Sequence, residues 1–323
     1  MNIAEVLGIS HDKIYSLFQS GLRELLVEMP RYLLRAAKQL IRRKRGWLIV
    51  DDSTVNKMFG ELFEGASRHY NSSTGTLING HSIVTIAWTD GEITIPLLFA
   101  FYFCKEISAD SHKTKIQLAK ELIFQCKEKI DCKGVLMDGL YCSAEMIEFL
   151  NANNIEFEMR MHSNRKVKVQ WYDEISLKKH PALKLNRNER SKTVKVIWKG
   201  LAVFVTIEKR KDKNGDITIV FLVSNRNVNA KCHISTYALR WGIEMLFRTL
   251  KQSIGLEHCQ GRSIESQTMH IYASLFSYLF LQYYRLRNGL LNVESALKHL
   301  LQKKPTYAIN CINTMDQIFA VFA

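Results

Sequence analysis

The sequence predicts an α/β protein, and three observations carry that prediction. Between residues 46 and 161 a short apolar strand, a two-stranded hairpin, a helix, a second short strand, another helix and a further strand follow one another. Two of those strands, Trp47–Val50 and Gly134–Met137, each run into an aspartate, Asp51 and Asp138. Segments with leucine and isoleucine at three- and four-residue spacing flank this alternation on both sides.

Taken in order, residues 1–45 read as helical and contain the run Arg31–Arg45, with seven basic residues and no acid. Such a face fits phosphate contact or a plain solvated surface. Ahead of it, Ser10 is placed to cap a helix that could belong to a helix-turn-helix. Trp47–Val50 is the first strand. His81–Thr89 and Glu92–Phe103 form two β-rich runs around Asp90-Gly91, a pair that supplies the positive φ of a tight hairpin turn. Ser108–Lys129 reads as an amphipathic helix, Gly134–Met137 as a strand, Ala144–Asn153 as a helix and Ile155–Met161 as a strand. With the two aspartate-ended strands able to lie side by side, this order matches a ribonuclease H-like core. Residues 160–213 then hold 16 Lys or Arg against 5 Asp or Glu. Val194–Trp198, Leu201–Glu208 and Ile217–Ser224 read as a meander, so a basic, β-rich insertion is expected. Helices return over Ile234–Ser253, Ile264–Leu286 and Val293–Gln302. The organisation expected is an N-terminal helical region carrying the basic run (1–45), an α/β core (46–162 and 231–290), the insertion (163–230) and a C-terminal helical region (291–323).

Composition narrows the function classes. The 323 residues are 47% hydrophobic and 24% charged, with 4 prolines and 16 glycines, which excludes wholesale disorder and collagen-like or linker-dominated chains. The formal net charge of +14 favours a polyanionic partner, nucleic acid or an acidic membrane surface. Seven cysteines show no C-x2-C pair, which argues against a zinc ribbon and a secreted disulfide scaffold. The N-terminus lacks a basic segment followed by an apolar stretch, and the most apolar run, Ile93–Cys104, is short for a membrane helix. A soluble cytoplasmic protein without a membrane partner is expected.

The segment Ser235–Ser253, STYALRWGIEMLFRTLKQS, carries the most chemistry. On a helical wheel with Tyr237 at zero, Arg240, Glu244 and Lys251 fall at about 300°, 340° and 320°. Leu239, Ile243, Leu246 and Leu250 gather between about 180° and 240°, so one face packs while its neighbouring edge presents the polar groups. Amphipathic helices commonly carry charged stripes, and Glu244 could simply pair with Arg240 or Arg248.

The spacing Tyr237-x2-Arg240-x3-Glu244-x6-Lys251, however, resembles the Y-x2-R-x3-E-x6-K signature of bacterial DDE transposases of the insertion-sequence-four family. Val50-Asp51-Asp52-Ser53-Thr54 is similar to that family's first-aspartate strand, and Leu136-Met137-Asp138-Gly139-Leu140-Tyr141 to its second. The likeness runs from about residue 46 to residue 290.

The resemblance implies that Asp51, Asp138 and Glu244 are catalytic and ligate Mg²⁺, with Mn²⁺ as a substitute and two ions per site. Two such ions, roughly 3.5–4 Å apart, activate the attacking oxygen and stabilise the leaving one, and hard cations prefer carboxylate oxygens. Arg240 and Lys251 would hold DNA phosphates, and Tyr237 would donate to a phosphate or stack near the end nucleotide. Asp51 is preferred over Asp52 as first ligand, because it directly follows the apolar strand and alternation sends Asp52 to the opposite face. Asp52 could instead bond a local amide. The DNA-binding set further includes Arg42, Arg43, Lys44 and Arg45, together with Trp241, for which packing beneath the site is favoured over a wedge into DNA.

Weaker candidates are His81, His112 and His162, read as surface or packed residues, and Asp110, read as a helix cap. Trp171 and Trp198 could stack on bases, with core packing favoured for Trp198. The function expected is cut-and-paste transposition: cleavage of double-stranded DNA at terminal inverted repeats and strand transfer into target DNA, by a homodimer on DNA in a bacterial cytoplasm. The rivals are a nuclease that cuts without joining and a non-catalytic DNA-binding relic.

Overall fold

The computed structural model describes residues 11–41, 44–57, 63–71, 75–108, 112–211 and 214–303, with side chains from residue 24 onward. Ser10, Arg42, Arg43 and Asp110 lie outside the described residues.

Helix α1 (His11–Ile41) lays Leu33, Leu34, Ala36, Ala37, Leu40 and Ile41 into the core. Four strands follow: β1 (Gly46–Asn56), β2 (Ser67–Asn71), β3 (Thr76–Thr89) and β4 (Thr94–Tyr102). A one-turn helix α2 (Lys105–Ser108) precedes α3 (Lys115–Lys127), which opens on a reciprocal capping box between Thr114 and Gln117. Next come β5 (Cys132–Met137), α4 (Ala144–Ala152, capped by Ser143) and β6 (Glu156–Met161). The short strands β7 (Lys166–Val167) and β8 (Ile175–Ser176) pair with each other, and β9 (Ser191–Trp198), β10 (Leu201–Lys211) and β11 (Ile217–Ser224) form the predicted meander.

The sheet fixes the fold. β4, β3 and β1 pair antiparallel, and β5 and β6 add parallel to β1, giving the order β4-β3-β1-β5-β6. This three-strand meander followed by two parallel strands is the ribonuclease H-like α/β core that the sequence predicts. The hairpin between β3 and β4 is closed by Asp90, whose Oδ1 accepts from the amides of Glu92 and Ile93, and by Gly91 at φ +98°. The basic meander continues this same sheet, because β11 pairs antiparallel with β6.

Several expected element limits change: α3 opens at Lys115 rather than Ser108, β3 at Thr76 rather than His81, and two further changes bear on the site. β1 does not stop at Asp51; it runs on to Asn56 because the polar stretch after Asp51 pairs residue by residue with β3. The helix expected over Ser235–Ser253 is three pieces, α5 (Ala230–Ala238), α6 (Trp241–Thr249) and a π-helical turn, Leu250–Ile254. At the junction, the amides of Leu239, Arg240 and Gly242 donate to carbonyls three residues back rather than four. The tightened turn brings Gly242 so near β4 that a Cβ there would collide with Thr94 Oγ1. Helices α7 (Ile264–Arg287) and α8 (Val293–Leu301) complete the described chain, and α7 packs on α1 and β4. No helix among the described residues is long and apolar enough to cross a membrane.

Candidate active site

β1 and β5 run parallel with Val50 opposite Met137, so the next residues, Asp51 and Asp138, sit side by side on adjacent strands. Asp138 starts a 3-10 turn, Gly139–Tyr141, yet its carboxylate makes no capping bond and lines a cleft of about 770 Å³. The opposite wall is the junction of α5 and α6. From there Arg240 donates through Nη1 to Asp51 Oδ2 at 2.9 Å and through Nη2 to Glu244 Oε1. One guanidinium therefore joins the first aspartate, 189 residues away in sequence, to the glutamate one helical turn on. Tyr237, buried, lies with its ring 5.8 Å from that guanidinium, and burial pushes its phenol up to about 12.

Burial also pushes Asp51 up to about 7; Arg240 opposes the rise, while the Asp52 and Asp138 carboxylates add to it. Asp51 Oδ1 accepts from the Asp52 amide at 2.9 Å. Asp52 faces the other side of the sheet, paired at 2.5 Å with Lys115 from the start of α3 and receiving the Tyr141 hydroxyl at 3.4 Å. Its partner is thus a lysine rather than a local amide.

Not every expected residue enters the cleft. Lys251 donates to the Thr54 carbonyl of β1 at 2.7 Å and pairs with Glu257 at 3.4 Å, strapping the π turn to the strand of Asp51. Lys44 pairs with Asp90 and Arg45 with Asp131, at the far end of β1 from Asp51. Trp241 is 54% exposed at the cleft mouth instead of packed beneath the site, because the tight turn at Leu239–Arg240 rotates it out of the wheel position expected. Trp198 is packed in the core, whereas Trp171 stands 96% exposed on the β7–β8 loop. His81 is buried against the Glu64 carbonyl and His112 bonds the Phe103 carbonyl.

The cleft also gathers residues the sequence reading passed over: Arg160 from β6, and Lys209, Arg210 and Lys211 from β10. Arg160 was detectable in principle, since β6 reads EFEMRM and alternates charged with apolar residues.

Among the described residues no three acidic, histidine or cysteine side chains converge tightly enough to form a metal cage by themselves. The donor chemistry still fits a hard divalent cation: the carboxylates available are all oxygen donors, and Asp51 lies where extra positive charge would favour its ionised form.

Two family models match the chain. A family model described as "DDE superfamily endonuclease" matches residues 1–196, a span that contains Asp51 and Asp138. A second, described as "Archaeal putative transposase ISC1217", matches residues 104–291 and contains Asp138 and Glu244. No curated protein matches the chain. Each model spans more than half of the chain, and they overlap on the strand of Asp138: the chain belongs to the DDE superfamily of transposase-type endonucleases.

Proposed function

We propose that this DDE endonuclease is a cut-and-paste transposase of the insertion-sequence-four kind, cleaving double-stranded DNA at terminal inverted repeats and joining the freed 3′ hydroxyls to target DNA. The observation that carries the reading is the link from Asp51 through Arg240 to Glu244, beside Asp138 on the neighbouring strand. In this reading Asp51, Asp138 and Glu244 hold Mg²⁺ or Mn²⁺, two ions per site. Bound there, the metal supplies an activated oxygen nucleophile and a stabilised leaving oxygen.

The chain's own residues do the rest. Arg240 holds two carboxylates in a fixed orientation with its forked donors, and keeps further N–H groups for a phosphate. Tyr237 presents a phenol held protonated by burial, suited to donating to a phosphate oxygen. Arg160 and Lys211 line the approach and neutralise backbone charge. Lys251 serves the site by tying the Glu244 segment to β1, with phosphate contact as its second use. The N-terminal region, 1–45, would read the repeats, with Arg42, Arg43, Lys44 and Arg45 near the backbone, while the insertion, 163–230, clamps DNA and Trp241 meets bases at the cleft mouth. Two ends must be paired, so the working unit is a homodimer on DNA in a bacterial cytoplasm.

The test incubates supercoiled DNA carrying the repeats that flank the gene with Mg²⁺ or Mn²⁺, comparing wild type with Glu244→Gln and Asp138→Asn. Metal-dependent cuts at repeat ends with joined products, lost in both variants, are expected. Cuts without joining would establish a plain nuclease, and repeat binding without cuts by any variant would establish a non-catalytic relic.

A further inference from the structure

Behind the cleft lies a charged cluster to which the proposed chemistry assigns no task. Glu158 of β6 is fully buried, and its Oε1 accepts from His233 Nδ1 of α5 at 2.6 Å and from Arg226 Nη1 at 3.1 Å. Arg226, in the connection from β11 to α5, also pairs with Glu156 at 3.2 Å and donates to Thr236 Oγ1 of α5 at 3.4 Å. Its guanidinium stacks 5.0 Å from the ring of Trp47 in β1. One buried carboxylate thus ties together β6, the β11–α5 connection and α5, and through Arg226 reaches β1.

The register of this contact is informative. Glu158 and Arg160 lie on one face of β6, two residues and about 6.6 Å apart. His233 and Tyr237 lie on one face of α5, four residues and about 6 Å apart. The two spacings match, so seating His233 on Glu158 brings Tyr237 to Arg160, whose charge Tyr237 senses in the cleft. Beside this contact, Tyr237 and Ile234 of the same helix make an apolar one with Val220 and Leu222. Apolar packing tolerates a slide or tilt; a buried hydrogen bond does not, because a displaced carboxylate or imidazole loses a partner in a dry setting.

We propose that Glu158 and His233 are positioning residues that pin the register of α5 along β6 and thereby place Tyr237 and Arg240 over the paired aspartates. The inference rests on the proposed function for what the placement achieves, but the placement itself is measured separately.

The experiment incorporates 3-fluorotyrosine at position 237 of the full-length protein and records its ¹⁹F resonance, alongside DNA affinity and single-turnover cleavage with Mg²⁺. Glu158→Gln should shift or broaden the resonance and slow cleavage about 10–100-fold, with DNA affinity changed less than about twofold. His233→Ala, which takes the imidazole from Glu158, should shift the resonance and slow cleavage in the same way, and it keeps the test decisive if Glu158→Gln fails to fold; His233→Gln, whose amide can still donate to Glu158, should retain most of the wild-type behaviour. An unchanged resonance in Glu158→Gln or His233→Ala would overturn the pin, whatever happens to cleavage. A shifted resonance in a protein whose wild type does not cut would uphold the pin and overturn the transposase reading.

Discussion

Asp51 sits beside Asp138, with Asp52 next to it in sequence on the opposite face of the strand, and burial, with those two carboxylates adding to it, pushes its carboxyl from an unfolded value near 3.8 to about 7. Between those values the folded chain keeps a proton that the unfolded chain has released, so stability contributed at this position falls as pH rises through that window. Asp51→Asn is therefore expected to raise the melting temperature of the metal-free protein at about pH 8 and to change it little near pH 4. An equal shift at both, in thermal melts, would show that the ionised carboxylate is not costly. Its partner Arg240 uses the fork of its guanidinium to reach Asp51 and Glu244 together. An ammonium has one centre of charge and cannot span both, so Arg240→Lys should lower single-turnover cleavage by about 10²-fold while leaving the fold intact. Retention of more than about half the wild-type rate would remove Arg240 from the site's machinery.

At the element level, the junction of α5 and α6 does what a continuous helix would not: it drops α6 onto β4 at Gly242 and turns Trp241 outward. Gly242→Ala should gain up to about 1 kcal/mol of helix propensity. It should lose more, about 1–3 kcal/mol, to the collision with Thr94. Thr94→Ala in the same chain should restore most of the loss; urea denaturation of the single and double variants measures both. This junction also marks where sequence reading stops. The strands and helices of the core and the common stripe of Tyr237, Arg240 and Glu244 were legible, because period-two and helical spacing are local properties; the placing of Asp51 beside Asp138 came from the match of the element order to a ribonuclease H-like core. The tight turn was not, since its cause is an approach between Gly242 and Thr94 across 148 residues. Likewise, nothing local pairs Glu158 with His233, which meet across 75 residues of chain. Lys251 was legible as a cation but not as a strap, because its acceptor is a backbone carbonyl of another element.

For the molecule as a whole, the net charge of +14 predicts DNA binding that weakens steeply with salt. Arg160 and Lys211 line the cleft, so Arg160→Ala with Lys211→Ala should reduce the slope of log affinity against log salt by up to about two, measured by fluorescence anisotropy. An unchanged slope would mean that DNA bypasses this wall. The pairing of β11 with β6 bears on a different property of the molecule. Without the meander, β6 would become a bare sheet border with a row of unpaired amides and carbonyls, the kind of template on which chains stack into aggregates. The border is instead moved outward to β9, where Lys192 and Lys195 stand in the strand and residue 168 bridges to Ile197. Charge and partial cover make that outer strand a poor template for a second chain. The segment that brings basic residues to the cleft is in this way also the guard that keeps the sheet from growing by self-association, and trimming it back to the β6 boundary is expected to yield insoluble protein.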